Sequence, residues 1–203
     1  MKVLPVSSIC RLLCVVAAIL VVGCAPSSLE VNLRYLPQTD VQPIRGAESV
    51  QLAVTVDDVR SNKADVGTAA TPLRTWEITT TENLAETARG AVLIELQDRG
   101  FKIGDGSGKV AINLNGLDVE RRRGWFWENR AHAFLTMQVR VMKKDGAVIY
   151  AHEAAGEDGD SDIADDRSVG AAERVTNLAL RNCIQRLFAD PKFTEALLKA
   201  SKP

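Results

Sequence analysis

The feature that most limits this sequence is an unbroken apolar run, Leu12–Val22, that stops at Gly23 and Cys24. Ahead of it the only charges are Lys2 and Arg11. A basic start, a short apolar stretch and a small residue at its end form the pattern of an export signal. A helix needs about 20 apolar residues to span a bilayer, and this run is shorter. Residues 1–23 are therefore expected to be removed, so the fold has to be built from the residues after Gly23, outside the cytoplasm.

Val21-Val22-Gly23-Cys24 resembles the bacterial lipobox, in which an aliphatic residue, a small residue and Gly or Ala precede an acylated cysteine. Val22 is bulkier than the usual Ala or Ser at that place. The resemblance implies lipidation at Cys24: a diacylglyceryl group on sulfur, cleavage before Cys24, and acylation of the new amine. One acyl chain holds a protein only marginally, at about 0.8 kcal/mol per buried CH₂, whereas several on one residue anchor it stably. In lipoproteins of this kind an Asp after the cysteine favours inner-membrane retention. Ala25 stands there, so the resemblance implies an outer-membrane anchor facing the periplasm, with membrane lipid as the first partner.

Subtracting the signal also settles the cysteine chemistry. Cys10 and Cys14 leave with it, Cys24 carries lipid, and Cys183 alone remains of the 4 cysteines. No internal disulfide or cysteine zinc site can form. In an oxidising compartment a lone thiol is safest buried, and Cys183 falls on an apolar helical stripe. Taking Lys2 and Arg11 from 25 basic residues leaves 23 against 26 acidic ones, a net charge near −3. That is not the footprint of a nucleic-acid binder.

Residues 24–46 contain Pro26, Ser27, Ser28, Pro37 and Pro43 and read as the lipidated cysteine with a flexible tether, with at most a short extended piece at 29–36. Residues 47–203 read as one periplasmic domain, large enough for its own core. Residues 50–57 alternate as a strand; 58–72 read as a loop; 73–79 read as extended. Thr81 is the expected N-cap of a helix whose apolar face includes Leu84, Ala88, Ala91, Val92 and Leu96, is interrupted by Glu95, and ends at Gly100. Residues 110–119 alternate with a phase slip at Asn115-Gly116, the mark of a bulge. Residues 131–142 and 147–154 read as strands joined at Lys144-Asp145-Gly146. Residues 157–166 read as an acidic loop, 169–188 as a second helix, and 192–199 as a short third one after Pro191. Strand, helix, three strands and helix predict an α+β fold: a two-layer sandwich of an antiparallel sheet and two main helices.

These features together resemble the YajG family of bacterial lipoproteins. The residues that carry the resemblance are the lipobox, the first strand VQLAVTVDDVR, the helix end ELQDRGFKI, the strand VAINLNGLDVE and the late helix VTNLALRNCIQRLFAD. It covers most of the mature chain and implies an envelope lipoprotein with no activity or catalytic site to carry over. The arginine and aromatic stretch at 121–127 has no counterpart in it.

That stretch, Arg121, Arg122, Arg123, Gly124, Trp125, Phe126 and Trp127, falls at the expected tip of a hairpin. Exposed aromatics and arginines favour interfaces and membrane boundaries, so these residues form a candidate tip for a partner, lipid or glycan. Asp158, Asp160 and Asp162 imitate the start of a calcium loop, with Asp165 and Asp166 nearby. Ile163 stands where glycine is needed and Val169 where the bidentate glutamate belongs, so no metal is assigned. His132 and His152 lie on strands of one meander, close enough in prospect to meet, without further partners for catalysis. No catalytic motif and no cofactor is assigned, and Gly104–Gly108 reads as a turn. The expected role is that of a non-enzymatic lipoprotein presenting its domain to an envelope partner. The other reading is an accessory lipoprotein of a lipid or solute transport complex.

Overall fold

The computed structural model describes residues 28–106, 108–123, 129–160 and 170–200. In chain order these form strands β1 (Leu29–Glu30), β2 (Gln51–Asp58), β3 (Asp65–Thr71) and β4 (Arg74–Thr79), then helix α1 (Leu84–Asp98). Strands β5 (Lys102–Ile103), β6 (Gly108–Arg123), β7 (Asn129–Lys143) and β8 (Val148–Asp160) come next, and helices α2 (Gly170–Ala189) and α3 (Pro191–Lys199) close the chain. The fold is mixed α and β, with one eight-stranded sheet among the described residues.

β6 is the spine of that sheet. β7 runs antiparallel along its whole length, from Gly108↔Lys143 to Arg123↔Asn129, and β8 pairs antiparallel with β7. The other edge of β6 is shared. β2 lies parallel to its first half, Leu52↔Gly108 to Asp58↔Leu114, and β3 parallel to its second, Gly67↔Val119 to Ala70↔Arg122. β4 runs antiparallel to β3, and β1 parallel to β4. The expectation of a purely antiparallel sheet is thereby corrected. Helix α1 intervenes between β2 and β6, and a helical crossover brings the chain back in parallel.

Along β7, Ala131, Ala133, Leu135, Met137, Val139 and Val141 are buried while His132, Phe134, Gln138 and Arg140 are exposed. That period of two gives β7 one apolar face. Helix α2 packs over β8 and β7, and α1 over β2. The phase slip at Asn115 is a bulge, with the register stepping between Leu114↔Met137 and Gly116↔Thr136. α1 ends as its sequence demands: Gly100 sits at φ +90°, its N–H donates to Gln97, and the N–H of buried Phe101 donates to Leu96. These two bonds form the glycine C-cap that satisfies the last carbonyls of the helix.

Four further sequence expectations need correction. Residues 65–71 form β3 instead of loop, because Val66 and Ala69 find buried places beside β6. β8 continues to Asp160, so Glu157 and Asp158 sit in a strand opposite Phe134 and Ala133, and the first half of the acidic loop is extended backbone. The N-cap of α1 is Asn83, whose Oδ1 accepts from the N–H groups of Ala85 and Glu86. Thr81 instead donates its hydroxyl to Glu30.

The fourth concerns the tether. From Ser28 on it is docked, with Val31 and Leu33 buried. The extended segment runs along α1 and α2, whose side chains take its backbone groups one by one. Glu173 of α2 accepts from the N–H of Asn32 at 3.2 Å, Glu82 ahead of α1 accepts from Leu33 at 3.1 Å, and Asn177 of α2 accepts from Arg34 at 2.7 Å while donating to the Asn32 carbonyl. A chain without a neighbouring strand must satisfy its N–H groups somewhere, and here glutamate and asparagine side chains do so.

Candidate functional site

The same segment closes over a buried ionic cluster. Glu95 is fully buried on α1. Its carboxylate accepts from the Tyr35 hydroxyl, from the Arg99 guanidinium one turn later, and from the Gln38 N–H at 3.2 Å. Arg99 also donates to the Glu95 carbonyl at 3.0 Å and lies over the ring of Phe188, 4.3 Å from its centroid. Burial pushes the Glu95 carboxyl up, but the bonds from Tyr35, Arg99 and the Gln38 N–H outweigh it and hold it below the ordinary glutamate value. Burial and the bond to Glu95 raise Tyr35 far above the ordinary tyrosine value. Both carboxylate oxygens accept hydrogen bonds, Oε1 from Tyr35 and Gln38 and Oε2 from Arg99, so this cluster is architecture.

Accessible polar chemistry gathers at the end of the sheet where β8 begins. α3 starts at Asp190-Pro191: Asp190 caps it by accepting from the Lys192 N–H, and Pro191 supplies a first helical residue that needs no N–H. Phe193 then sinks into the core against Phe188 and Tyr150. The cleft left between α3 and the start of β8 has a volume of about 610 Å³ and is lined by Tyr150, His152, Asp190, Lys192, Glu195 and Lys199, among others. The Tyr150 hydroxyl donates to Asp190 at 2.9 Å, and the His152 ring lies 6.0 Å from that of Tyr150. Burial, and then the Asp190 bond and charge, raise Tyr150 well above its ordinary value. Asp190 is held below the carboxylate range chiefly by the Lys192 N–H, with burial opposing and Tyr150 and His152 assisting. Glu195 is lowered by its bond to Lys199.

Chemically this cleft offers hydrogen-bond donors and acceptors and side-chain charges of both signs. Asp190 accepts from the Lys192 N–H at the start of α3 and from the Tyr150 hydroxyl, and His152 and Glu195 line the same cleft. Among the described residues no group of three metal-ligating side chains converges.

The sequence pointed elsewhere. Arg121 and Arg122 lie on β6 at the opposite end of the sheet, opposite Ala131 and Arg130 of β7, and Arg122 donates to Glu120 at 2.6 Å. Arg123 is the last residue of β6. Trp125, Phe126 and Trp127 lie outside the described residues, as do Cys24 and Asp162, Asp165 and Asp166. His132 and His152 do not meet. His152 pairs with Val139, and His132 stands seven residues earlier on that strand, about 23 Å away at strand rise. Cys183 is fully buried, and burial pushes its thiol up to about 12. The cleft residues escaped sequence reading because only the fold joins position 150 to position 190. The single local signal was the cap pattern Asp190-Pro191.

A family model for an uncharacterized lipoprotein matches residues 37–198. A DUF330-family protein from Xanthomonas campestris has a similar structure, with a TM-score of 0.55 at 13% identity, covering 83% of this chain and 96% of that one. A minor lipoprotein from Acinetobacter baumannii gives a TM-score of 0.43 at 7% identity, covering 71% of this chain and 92% of that one. The first likeness shows a shared fold. No curated protein matches significantly. Among the described residues no helix is long and apolar enough to cross a membrane.

Proposed function

This chain belongs to that family of uncharacterized bacterial lipoproteins, and from that premise we propose that it is a non-enzymatic envelope lipoprotein, acylated at Cys24, that presents the cleft beside α3 to a periplasmic partner. The name YajG, the outer membrane as its address and a two-layer arrangement of helices on one sheet face belong to the same reading.

The observation that carries it is the polarity of the molecule along β6. The chain enters the fold at β1, beside the arginine end of the sheet, while the cleft opens at the far end. Val110, level with Tyr150, and Arg122 are on the order of 35 Å apart along β6. A lipid at Cys24 would hold one end at the bilayer and raise the concentration of the other near envelope proteins.

Two experiments test this. Replacing Cys24→Ala should move the protein from the membrane to the soluble envelope fraction and abolish labelling by radioactive palmitate. Retention and labelling without Cys24 would overturn the anchor. A photo-crosslinker at Lys192 should give one dominant envelope adduct that a crosslinker at Gln138, exposed on β7, does not. Equal, diffuse labelling from both sites would overturn the presentation of the cleft.

A further inference from the structure

The direction of β1 limits where an anchor at Cys24 can lie. β1 runs parallel to β4 with Leu29 opposite Ile78. The N-terminal end of β1 therefore faces the side on which β4 begins, the β3–β4 turn at Pro72-Leu73. Cys24 is five residues before Leu29, and five residues reach at most about 16–18 Å. From Ile78 back to Leu73 is also five residues of strand, about 16 Å. An anchor at Cys24 keeps Leu29 within that reach of the headgroups. With residues 28–36 docked on the domain, no long spacer remains to let it stand off.

The corner within reach has the composition of an interfacial contact. Leu73 is 88% exposed at the tip of the turn. Arg74 lies over the Trp76 ring, 5.5 Å from its centroid. β3 sets Ala69 and Ala70 opposite Arg121 and Arg122, so the β3–β4 turn is level with the end of β6, and exposed Arg130 lies next to it on β7. Among the described side chains, carboxylates near this corner include Glu77 on β4 and Glu120, which pairs with Arg122, and Asp160 ends β8 opposite Ala131. Asp158 lies beyond β7 on β8, away from the β1 edge where the anchor enters. An exposed leucine flanked by arginine and tryptophan matches what a bilayer interface accepts, and arginines near a membrane surface are drawn to anionic headgroups.

We propose that this corner, Leu73 with Arg74, Arg121, Arg122 and Arg130, is seated on the anionic headgroups of the bilayer that holds the anchor, so that the domain stands upright with its cleft facing away. The proposal rests on the lipid-anchor reading above. Lipid is favoured over a protein occupant because an anchor five residues before Leu29 holds headgroups within about 16–18 Å of β1, whose N-terminal end faces this corner.

The test uses the full, acylated chain reconstituted into vesicles of phosphatidylethanolamine and phosphatidylglycerol. An environment-sensitive fluorophore is placed at Leu73→Cys or, as the far-end control, at exposed Lys144→Cys; buried Cys183 stays unlabelled. Nitroxide lipids should quench the probe at 73 severalfold more than the probe at 144. The difference should shrink in pure phosphatidylcholine, in about 1 M salt, where the Debye length is about 3 Å, and in the Arg74→Glu, Arg130→Glu double variant. A protein that floats with the vesicles yet shows equal quenching at both sites overturns the docking and leaves the anchor standing. A protein that does not float overturns both. Protection of the probe at 73 by an envelope extract without vesicles would put a protein at the corner and overturn the lipid assignment.

Discussion

The two long helices cover the same sheet by opposite means. α1 brings a carboxylate and a guanidinium, Glu95 and Arg99, to the interior, exposed by 0% and 8%. α2 brings Ala172, Val175, Ala179, Cys183, Ile184 and Leu187, all buried, and comes so close to β8 that Gly156 lies directly beneath it. The α2 seam needs small residues and close packing. The α1 seam needs partners for its charges, and these come from Tyr35 and Gln38 in the segment that leads in from the N-terminus. A buried ion pair does not by itself add stability, but removing one member leaves the other stranded. The polar seam therefore makes the leading segment part of the fold, where an apolar one would have left it free.

The sharpest break of this comparison is Glu95→Ala. It strands the Arg99 guanidinium and the Tyr35 hydroxyl in the interior and should cost about 3–5 kcal/mol, read as a fall in the urea midpoint. A loss under about 1 kcal/mol would show that water or another group replaces the carboxylate. Replacing Glu95 and Arg99 together by leucine should recover much of the loss. The pair also shapes the acid limb. Because the folded Glu95 carboxyl is held below its ordinary value of 4.5, its contribution is fully present above that pH and disappears as pH falls through the folded value. The Glu95→Gln variant, less stable at neutral pH, should lose stability less steeply below about pH 4.5. Identical acid limbs would remove Glu95 from the account.

At the apolar seam the corresponding break is Gly156→Ala. A Cβ there would overlap the Ala179 carbonyl oxygen and the Cys183 nitrogen. Both are helix backbone, so α2 has to move as a body, and overpacking of this kind costs about 1–3 kcal/mol. The readout has two parts, a lowered midpoint and faster reaction of Cys183 with a thiol reagent under native conditions. Unchanged stability with Cys183 still unreactive would mean that the helix shifts at no cost and that the seam is looser than its packing implies.

The sequence was most legible where local chemistry decides the outcome. The turn at Lys144–Gly146, the bulge at Asn115, the glycine cap of α1 and the burial of Cys183 each depend on a few neighbouring residues. It was least legible where long-range pairing decides. β3 reads VGTAAT through most of its length, small residues with no apolar alternation, and becomes a strand because β6 offers an edge to it. The leading segment carries Val31, Leu33 and Tyr35 at alternate positions, yet its prolines pointed to a tether, and only Glu82, Asn177 and Glu95 from the helices make it structured. Thr81 is the expected cap, and Asn83, two residues later, is a residue type that caps equally well. Asn83 takes the role while Thr80 and Glu82, bonded to each other at 2.8 Å, hold the incoming segment through Leu33.

The smallest effect expected lies on α1, where the comparison predicts a change of sign. Gly90 sits inside that helix, and a Cβ added there meets nothing within 4 Å. Its φ lies outside the left-handed region, so alanine fits the existing backbone, and Gly90→Ala should stabilise the protein by about 0.4–1 kcal/mol by restricting the unfolded chain. The same substitution that pries α2 from β8 at Gly156 should thus tighten α1 at Gly90, and a urea series of both variants with the parent measures the contrast directly. If Gly90→Ala destabilises instead, open space at that position is not idle in solution. The α1 surface would then be in contact with something the isolated chain does not contain, and the crosslinking at Lys192 would have to be repeated from that face.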